Sequence, residues 1–234
     1  MLPIGDDNTG HRLTPFVNYV LIAINVLVFV FLQGMGGNEQ FTYAFSTVPA
    51  EIIDGKDIAA GPLQPTPIPV YGTLISSMFM HGGWAHLLGN MLYLWIFGDN
   101  LENRMGHGRY LGFYLLCGII ASLSHVFATS AFSPDNMLVP SLGASGAISG
   151  VLGGYMLIFP KKRVRAIMGR GVVEVPAFVA LGIWIVLQVI SGLGMLGGQQ
   201  PGGGGVAYAA HIGGFVAGLV LVKLFDRGEV EPAR

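Results

Sequence analysis

Charged residues are scarce in this chain: they make up 11% of its 234 residues, while 52% of the residues are hydrophobic. Soluble domains carry about 25% charged residues, so the deficit excludes an ordinary soluble protein and predicts a membrane protein. The formal net charge is only −1. Because nucleic-acid binding relies on an excess of positive charge, we expect no nucleic acid among the partners.

Two further absences narrow the possible chemistry. Cys117 is the only cysteine, so an intrachain disulfide is excluded. The sequence also lacks the H-E-x-x-H pattern with which many zinc proteases bind their metal. A zinc protease of that type is therefore excluded.

Long apolar stretches are present instead, and six of them are long enough to cross a bilayer, which takes about 20 apolar residues. They predict an all-α membrane protein, a polytopic bundle of six transmembrane helices. In the second stretch, Gly82 and Gly83 interrupt the pattern, so we expect its regular helix to begin near Trp84. The six predicted spans cover residues 15–33, 74–98, 108–130, 140–160, 172–195 and 205–226.

The positively charged residues indicate how the spans are oriented. If the N-terminus is cytoplasmic, 11 of the 12 Lys and Arg residues fall on the cytoplasmic side, and only Lys56 falls outside. Because positive charge concentrates in cytoplasmic loops, we expect both termini in the cytoplasm. The segment 161–170, with the sequence KKRVRAIMGR, contributes most of this charge. We interpret it as a topology anchor that contacts anionic lipid headgroups.

A serine lies among small residues in the fourth span, in Gly143-Ala144-Ser145-Gly146, and a histidine, His211, lies in the sixth. A serine nucleophile needs a base that takes its proton. Under the predicted topology both spans enter from the outside. Both residues then lie about five or six residues in, which is about 7–9 Å at 1.5 Å per residue. They are candidates for one catalytic site inside the membrane.

The second span contributes polar residues at a similar depth. His86 and Asn90 are four residues apart and share one helix face, and His81 lies in the approach to that helix. Histidine or asparagine in a membrane helix is costly unless it faces the bundle interior or a water-filled cavity. Each residue alone would be explained by a hydrogen bond between helices. Three of them at the depth of the serine favour a shared site.

A catalytic triad is excluded because no carboxylate lies inside a span: the 13 Asp and Glu residues occupy termini, loops or span ends. A serine enzyme with this sequence would use a Ser145–His211 dyad, with the histidine oriented by packing or by a neutral hydrogen bond. The developing oxyanion needs hydrogen-bond donors. The side chains of Asn90 and His86 and the backbone N–H of the serine are the candidates.

Glycines predict how the fourth and sixth spans meet. Gly143 and Gly146 flank the serine and would let the backbone and a substrate approach it closely. Gly214 and Gly218 form a G-x-x-x-G pair on the histidine-bearing face of the sixth span. We expect the fourth span to pack against this face and to bring the serine and the histidine within hydrogen-bond distance.

These motifs resemble those of the rhomboid family of intramembrane serine proteases. The similarity lies in G-A-S-G at 143–146, A-H-x-x-G at 210–214, H-x-x-x-x-H-x-x-x-N at 81–90 and E-x-R at 102–104. The motifs occur in the family's order, so the resemblance covers nearly the whole chain as a single domain, residues 1–234. It implies a Ser–His dyad, no metal or other cofactor, and cleavage of transmembrane protein substrates near their outer ends. The partners would be these substrates and the lipid bilayer.

The resemblance also assigns roles to two external loops. The loop 34–73 would lie partly in the outer leaflet, and the glycine-rich loop 196–206 would cap the site. One position departs from the family: many members carry a tyrosine four residues after the nucleophile, against which the histidine ring packs, and here that residue is Ser149. Tyr208, three residues before His211, is a candidate for its replacement.

The rival interpretation is a catalytically inactive rhomboid-like protein that binds client transmembrane helices. The intact serine and histidine argue against it. A small transporter would more usually carry a charge near the membrane midplane or broken helices there, and a haem-binding bundle would leave Asn90 and G-A-S-G without a role.

We expect an integral protein of a prokaryotic plasma (inner) membrane.

Overall fold

Helices dominate the computed structural model, which describes residues 1–59, 63–196 and 207–228. The predicted loop 196–206 thus lies outside the described residues, apart from its first position. In chain order the α-helices of the described part are α1 (Phe16–Leu27), α2 (Glu39–Ala44), α3 (Pro49–Asp54), α4 (Thr73–Ser76), α5 (Trp84–Met105), α6 (His107–Phe132), α7 (Ser145–Ile158), α8 (Ala177–Leu196) and α9 (Tyr208–Phe225). A π-helical turn, Val28–Leu32, continues α1.

Three of these helices are long and apolar enough to cross a membrane by length and composition: His107–Phe132, Ala177–Gly194 and Tyr208–Phe225. Shorter apolar helices cover Phe16–Leu32, Val70–Phe79 and Ser145–Ile158. The 22-residue helix α5 is more polar because acidic and basic residues occupy its last two turns. The structure therefore supports a polytopic helical membrane protein, while the number of six spans stays a prediction.

The structure also contains a three-stranded antiparallel sheet that the sequence analysis did not predict. Its strands are β1 (Leu2–Asp6), β2 (Arg163–Met168) and β3 (Gly171–Pro176), in the order β1-β2-β3. In β2, the side chains of Val164 and Ala166 are buried while their neighbours are more exposed, which is the alternation of a half-buried strand. The interpretation of 161–170 as a topology anchor alone therefore missed a β-hairpin.

Two predicted spans begin several residues before their helices do. The fifth span was predicted from residue 172, but residues 171–176 form β3, and α8 begins at Ala177. The fourth span was predicted from residue 140, but α7 begins at Ser145. Pro140 and Gly143, whose φ is 124°, keep the preceding chain out of the helix. The serine is thus the first residue of its helix and not five residues inside it.

Helix α7 is the centre of the bundle, because it contacts α5, α6, α8 and α9. All of its residues from Gly146 to Tyr155 are buried. Helix α9 packs against both α6 and α7. The central position of α7 explains its composition: glycine, alanine and serine make up half of it, and small residues allow four neighbouring helices to approach at once.

Polar contacts tie the ends of the helices together at the end of the bundle that carries the sheet. Both carboxylate oxygens of Glu102 accept backbone N–H groups at the start of α1, from Val17 at 2.9 Å and from Asn18 at 2.7 Å. Arg104 forms an ion pair with Asp226, just beyond the end of α9, at 2.6 Å. The E-x-R element therefore fastens the first helix through its glutamate and the last helix through its arginine.

At the opposite end, two short helices, α3 and α4, pack on α6. Ile52 of α3 and Leu74 of α4 form a buried cluster with Val126 of α6. The backbone of Thr47 pairs with that of Ser141 through two hydrogen bonds, of 3.0 and 2.8 Å. This pairing supports the chain that leads into α7.

Candidate active site

Ser145 and His211 lie side by side, each at the start of a helix. The distance between Oγ of Ser145 and Nε2 of His211 is 2.8 Å, which is a hydrogen bond. Ser145 is the first residue of α7, and His211 is the fourth residue of α9. The backbone N–H groups of the first helical turn have no partner inside the helix, and the N-terminus of a helix attracts negative charge. The serine therefore stands beside free donors for an anion.

The close approach of α7 and α9 depends on glycine. A Cβ at Gly214 would overlap the carbonyl oxygen of Gly146, and a Cβ at Gly218 would overlap that of Gly150. Gly146 in turn leaves room for Ala121 of α6, whose Cβ would lie 2.7 Å from a Cβ at position 146. The G-x-x-x-G pair thus packs on the fourth predicted span, as expected. The contacts of Gly146 make it a packing residue between helices, and the substrate-binding role predicted for it stays a prediction.

A glutamine on α8 holds the other ring nitrogen of the histidine. Nδ1 of His211 lies 2.7 Å from Oε1 of Gln188. From the sequence, packing or a neutral hydrogen bond was expected to orient the histidine, but Gln188 was not identified as the partner. A signal was present, since a long polar side chain in an apolar membrane helix needs a partner in the bundle interior.

Two aromatic rings flank the imidazole where the family's tyrosine is missing. The ring of Tyr208 lies 6.4 Å from that of His211 between centroids, at 84°, so the predicted contact is present. The ring of Trp184, on α8, is closer, at 5.9 Å and 34°. Ser149 faces elsewhere: its hydroxyl donates to the carbonyl oxygen of Ser145 at 2.6 Å. Trp184 was not identified from the sequence.

The polar residues of the second predicted span form a connected group beside the serine. The amide Nδ2 of Asn90 donates to Nε2 of His81 at 2.9 Å. The backbone of His81 is clamped by the side chain of Gln33, which both donates to its carbonyl oxygen and accepts from its N–H, each at 2.9 Å. His81, in the non-helical approach, thus positions Asn90. Gln33, which sequence reasoning missed, positions His81.

Gly143 separates this group from Ser145. A Cβ at Gly143 would lie 2.7 Å from Nε2 of His86 and 3.7 Å from Nδ2 of Asn90. The Gly82 N–H donates to Nδ1 of His86 at 3.4 Å, so the proton of the neutral imidazole resides on Nε2. The structure thus places Nε2 of His86 and Nδ2 of Asn90 beside Gly143, two residues before the serine.

A cavity of about 1130 Å³ lies over these residues. Its lining includes His86, Asn90, Ser145, Trp184 and His211. The larger part of the lining is apolar, and polar side chains lie among the apolar ones, as is usual for ligand-binding sites. Within the described residues, no group of three His, Cys, Asp or Glu side chains is arranged to hold a metal ion.

The fold and the site define a class: a polytopic helical membrane protein with a serine–histidine pair inside its bundle. Residues 70–227, more than half of the chain, match the family described as Rhomboid domain. The protein belongs to the rhomboid family.

Its relatives include proteins from bacteria, fungi and plants. Rhomboid protease GluP of Bacillus subtilis is 31% identical over 211 residues, which cover 88% of this chain and 35% of the relative. Rhomboid protein 1, mitochondrial, of Saccharomyces cerevisiae is 29% identical over 86% of this chain and 51% of the relative. RHOMBOID-like protein 4 of Arabidopsis thaliana is 37% identical over 63% of this chain and 32% of the relative. The chain thus spans about a third to a half of the length of these relatives.

Proposed function

We propose that this protein is an intramembrane serine endopeptidase in which Ser145 is the nucleophile and His211 the general base. One observation carries the proposal: the serine hydroxyl lies 2.8 Å from the histidine nitrogen, at the N-terminus of a buried helix and within the lining of a large cavity. Membership of the rhomboid family and similarity to a protein named as a protease support it.

The reaction proceeds through an acyl-enzyme. Oγ of Ser145 attacks the carbonyl carbon of the scissile peptide bond while Nε2 of His211 takes the hydroxyl proton. The imidazolium then gives that proton to the leaving amine as the C–N bond breaks. A water molecule, deprotonated by the same histidine, attacks the acyl carbon. The bond between that carbon and Oγ of Ser145 then breaks as Oγ takes the proton from the imidazolium, which releases the new carboxyl group. The dyad ends in its starting state.

The oxyanion of each tetrahedral intermediate is stabilised by three N–H groups in this proposal: the backbone N–H of Ser145, Nδ2 of Asn90 and Nε2 of His86. The two side-chain donors lie beside Gly143. Donors that are held in place before the reaction lower the barrier because they need not reorganise as charge develops, and the loss of one costs about 100- to 1000-fold in rate. The buried contact of Asn90 with His81 provides such rigidity.

The substrates in this proposal are transmembrane segments of other membrane proteins, cut near their outer ends. Strands β1 and β2 pair, so the N-terminal segment and the basic segment 161–170 lie at the same end of the bundle. Ser145 lies at the other end of α7, because it is the first residue of that helix and the basic segment follows the last. The basic side would face the cytoplasm. Because the relatives include mitochondrial proteins as well as a bacterial protease, the comparisons favour no particular membrane beyond an integral membrane location.

Cleavage of a single-span substrate tests the proposal. The full chain and a fluorescently tagged substrate are reconstituted in liposomes, and products are followed with time. We expect cleavage by the wild type and by Ser124→Ala, whose serine donates to the carbonyl of Ile120 in its own helix, and none by Ser145→Ala or His211→Ala. A folded wild type that binds the substrate without cutting it would favour the inactive, helix-binding alternative.

A further inference from the structure

The contact between Gln188 and His211 indicates how the histidine ring is oriented in a dyad that has no carboxylate. Nδ1 of His211 lies 2.7 Å from Oε1 of Gln188, and Nε2 lies 2.8 Å from Ser145. Both ring nitrogens therefore have a partner. The amide oxygen of Gln188 can only accept a hydrogen bond, whereas the serine hydroxyl can donate or accept one. The contact at Nδ1 therefore decides which ring nitrogen is left unprotonated as the base.

We infer that Gln188 is a positioning residue that selects the reactive tautomer of His211. The amide oxygen accepts the Nδ1–H, so the neutral ring carries its proton on Nδ1 and leaves Nε2 unprotonated toward the serine hydroxyl. The opposite tautomer would place an N–H on Nε2, which then could not take the serine proton. This inference rests on the proposed function, since it concerns the same dyad.

The position of Gln188 on α8 fits this role. Its neighbours Leu187, Val189 and Ile190 are exposed at the helix surface, with exposed fractions of 54%, 38% and 59%, whereas Gln188 is partly buried and turned to the bundle. Trp184, four residues earlier, lies on the same face and also contacts His211. One face of α8 thus supplies both the hydrogen bond and the ring packing that hold the imidazole.

The amide also stabilises the charged ring that forms during the reaction. When the imidazole takes the serine proton, Nδ1–H becomes a stronger donor. Its hydrogen bond to the oxygen of Gln188 then strengthens and stabilises the positive charge of the ring without any proton transfer. In a bundle where no Asp or Glu was found inside a predicted span, this neutral acceptor occupies the place that a carboxylate takes in a triad.

The test compares Gln188→Met, which keeps the length of the side chain but removes the acceptor, with Leu187→Met, which changes the exposed neighbour. We expect Gln188→Met to lower kcat about 10- to 100-fold with little change in KM, and Leu187→Met to leave both unchanged. Gln188→Glu, which keeps an acceptor, should retain more activity than Gln188→Met and move the acid limb of the pH–rate profile to higher pH, since a nearby carboxylate favours the imidazolium. A Gln188→Met enzyme with wild-type kcat would overturn the inference.

A spectroscopic measurement separates this inference from the proposed function. In protein with 15N-labelled histidine, the ring nitrogens of His211, assigned by their loss in His211→Ala, report which one carries the proton. We expect protonated Nδ1 in the wild type and a mixture of tautomers in Gln188→Met. Protonated Nε2 in the wild type would overturn the inference whether or not the protein cleaves. An absence of cleavage with protonated Nδ1 would overturn the proposed function alone.

Discussion

The backbone of Gly146 touches Gly214 so closely that a Cβ at position 214 would overlap its carbonyl oxygen. Gly146 directly follows Ser145, and Gly214 lies three residues after His211, on the same face of α9. The distance between the two functional side chains is therefore set by contact between two helix backbones. Gly218 repeats this contact one turn further along, against Gly150.

Substitution of Gly218 by alanine should separate the dyad without touching it. The added methyl group cannot fit against Gly150, so α9 must move away from α7 or lose stability by about 1–3 kcal/mol. We expect a lower melting temperature and a loss of most cleavage activity. Gly182→Ala on α8, where a Cβ would meet nothing within 4 Å, is the matched control and should behave as wild type. Equal behaviour of both variants would contradict the packing account.

Ring packing on the histidine should depend on Trp184 and not on Ser149. Trp184→Leu removes the aromatic ring 5.9 Å from that of His211, so we expect kcat to fall about tenfold. Ser149→Ala removes a hydrogen bond to the Ser145 carbonyl, which stabilises the fold by about 1 kcal/mol or less, and should keep its activity. Cleavage rates of the two variants under one set of conditions decide the point, and the reverse order of effects would exclude this account.

The carboxylate of Glu102 should be required for stability because both its oxygens accept hydrogen bonds. Besides the N–H groups of Val17 and Asn18, it contacts Nδ1 of His107 at 2.5 Å. Glu102→Gln turns one acceptor into a donor that faces a backbone N–H, so we expect a loss of about 1–3 kcal/mol. Thermal unfolding in detergent measures it. Glu174→Gln, at an exposed position of β3, should leave the melting temperature unchanged.

Asp6 should make stability depend on pH. Burial raises the pKa of its carboxyl group to about 6, although the Tyr155 hydroxyl donates to it at 2.5 Å. The folded state therefore holds the proton more tightly than the unfolded chain, and stability is lost as pH rises from about 4 to about 6. Asp6→Asn removes this loss. The free energy of unfolding of the variant, relative to that of the wild type, should therefore rise over that pH range by at most about 3 kcal/mol.

The neighbouring Asp7 provides a control of opposite sign. The backbone N–H of Thr9 lowers the pKa of Asp7, so its contribution is present at neutral pH and is lost as pH falls. The melting temperatures of wild type, Asp6→Asn and Asp7→Asn are measured between pH 3 and pH 8. As the pH rises, the melting temperature of Asp6→Asn relative to wild type should increase, and that of Asp7→Asn relative to wild type should decrease. A constant difference for Asp6→Asn would show that Asp6 has an ordinary pKa.

Features that are determined by residues close together in the sequence could be predicted. The start of α5 at Trp84 is confirmed, because consecutive glycines interrupt the apolar pattern just before it. The contact between the sixth and fourth predicted spans is also confirmed, because small residues on one helix face leave few other ways to pack. The motif residues Ser145 and His211 lie together as predicted, although Ser145 begins its helix and does not lie five residues inside it.

Other features could not be predicted because they depend on contacts distant in sequence or on competing signals. The hairpin of β2 and β3 was obscured by its positive charge, and β1 becomes a strand only by pairing with it. The start of α7 was misplaced because apolar residues continue through the bend at Gly143. Gln188 is one polar residue in an apolar helix, and its partner is known only once α8 and α9 are side by side.

The most direct test of the dyad is covalent labelling with a fluorophosphonate, which reacts only with an activated serine, followed by mass spectrometry of the labelled peptide. Wild type, Ser145→Ala, His211→Ala and the control Ser124→Ala are compared in detergent, with folding checked by thermal unfolding. The account predicts one label on Ser145 in wild type and in Ser124→Ala, and none in the other two. A folded wild type that takes up no label, or a label that persists in Ser145→Ala, would contradict it.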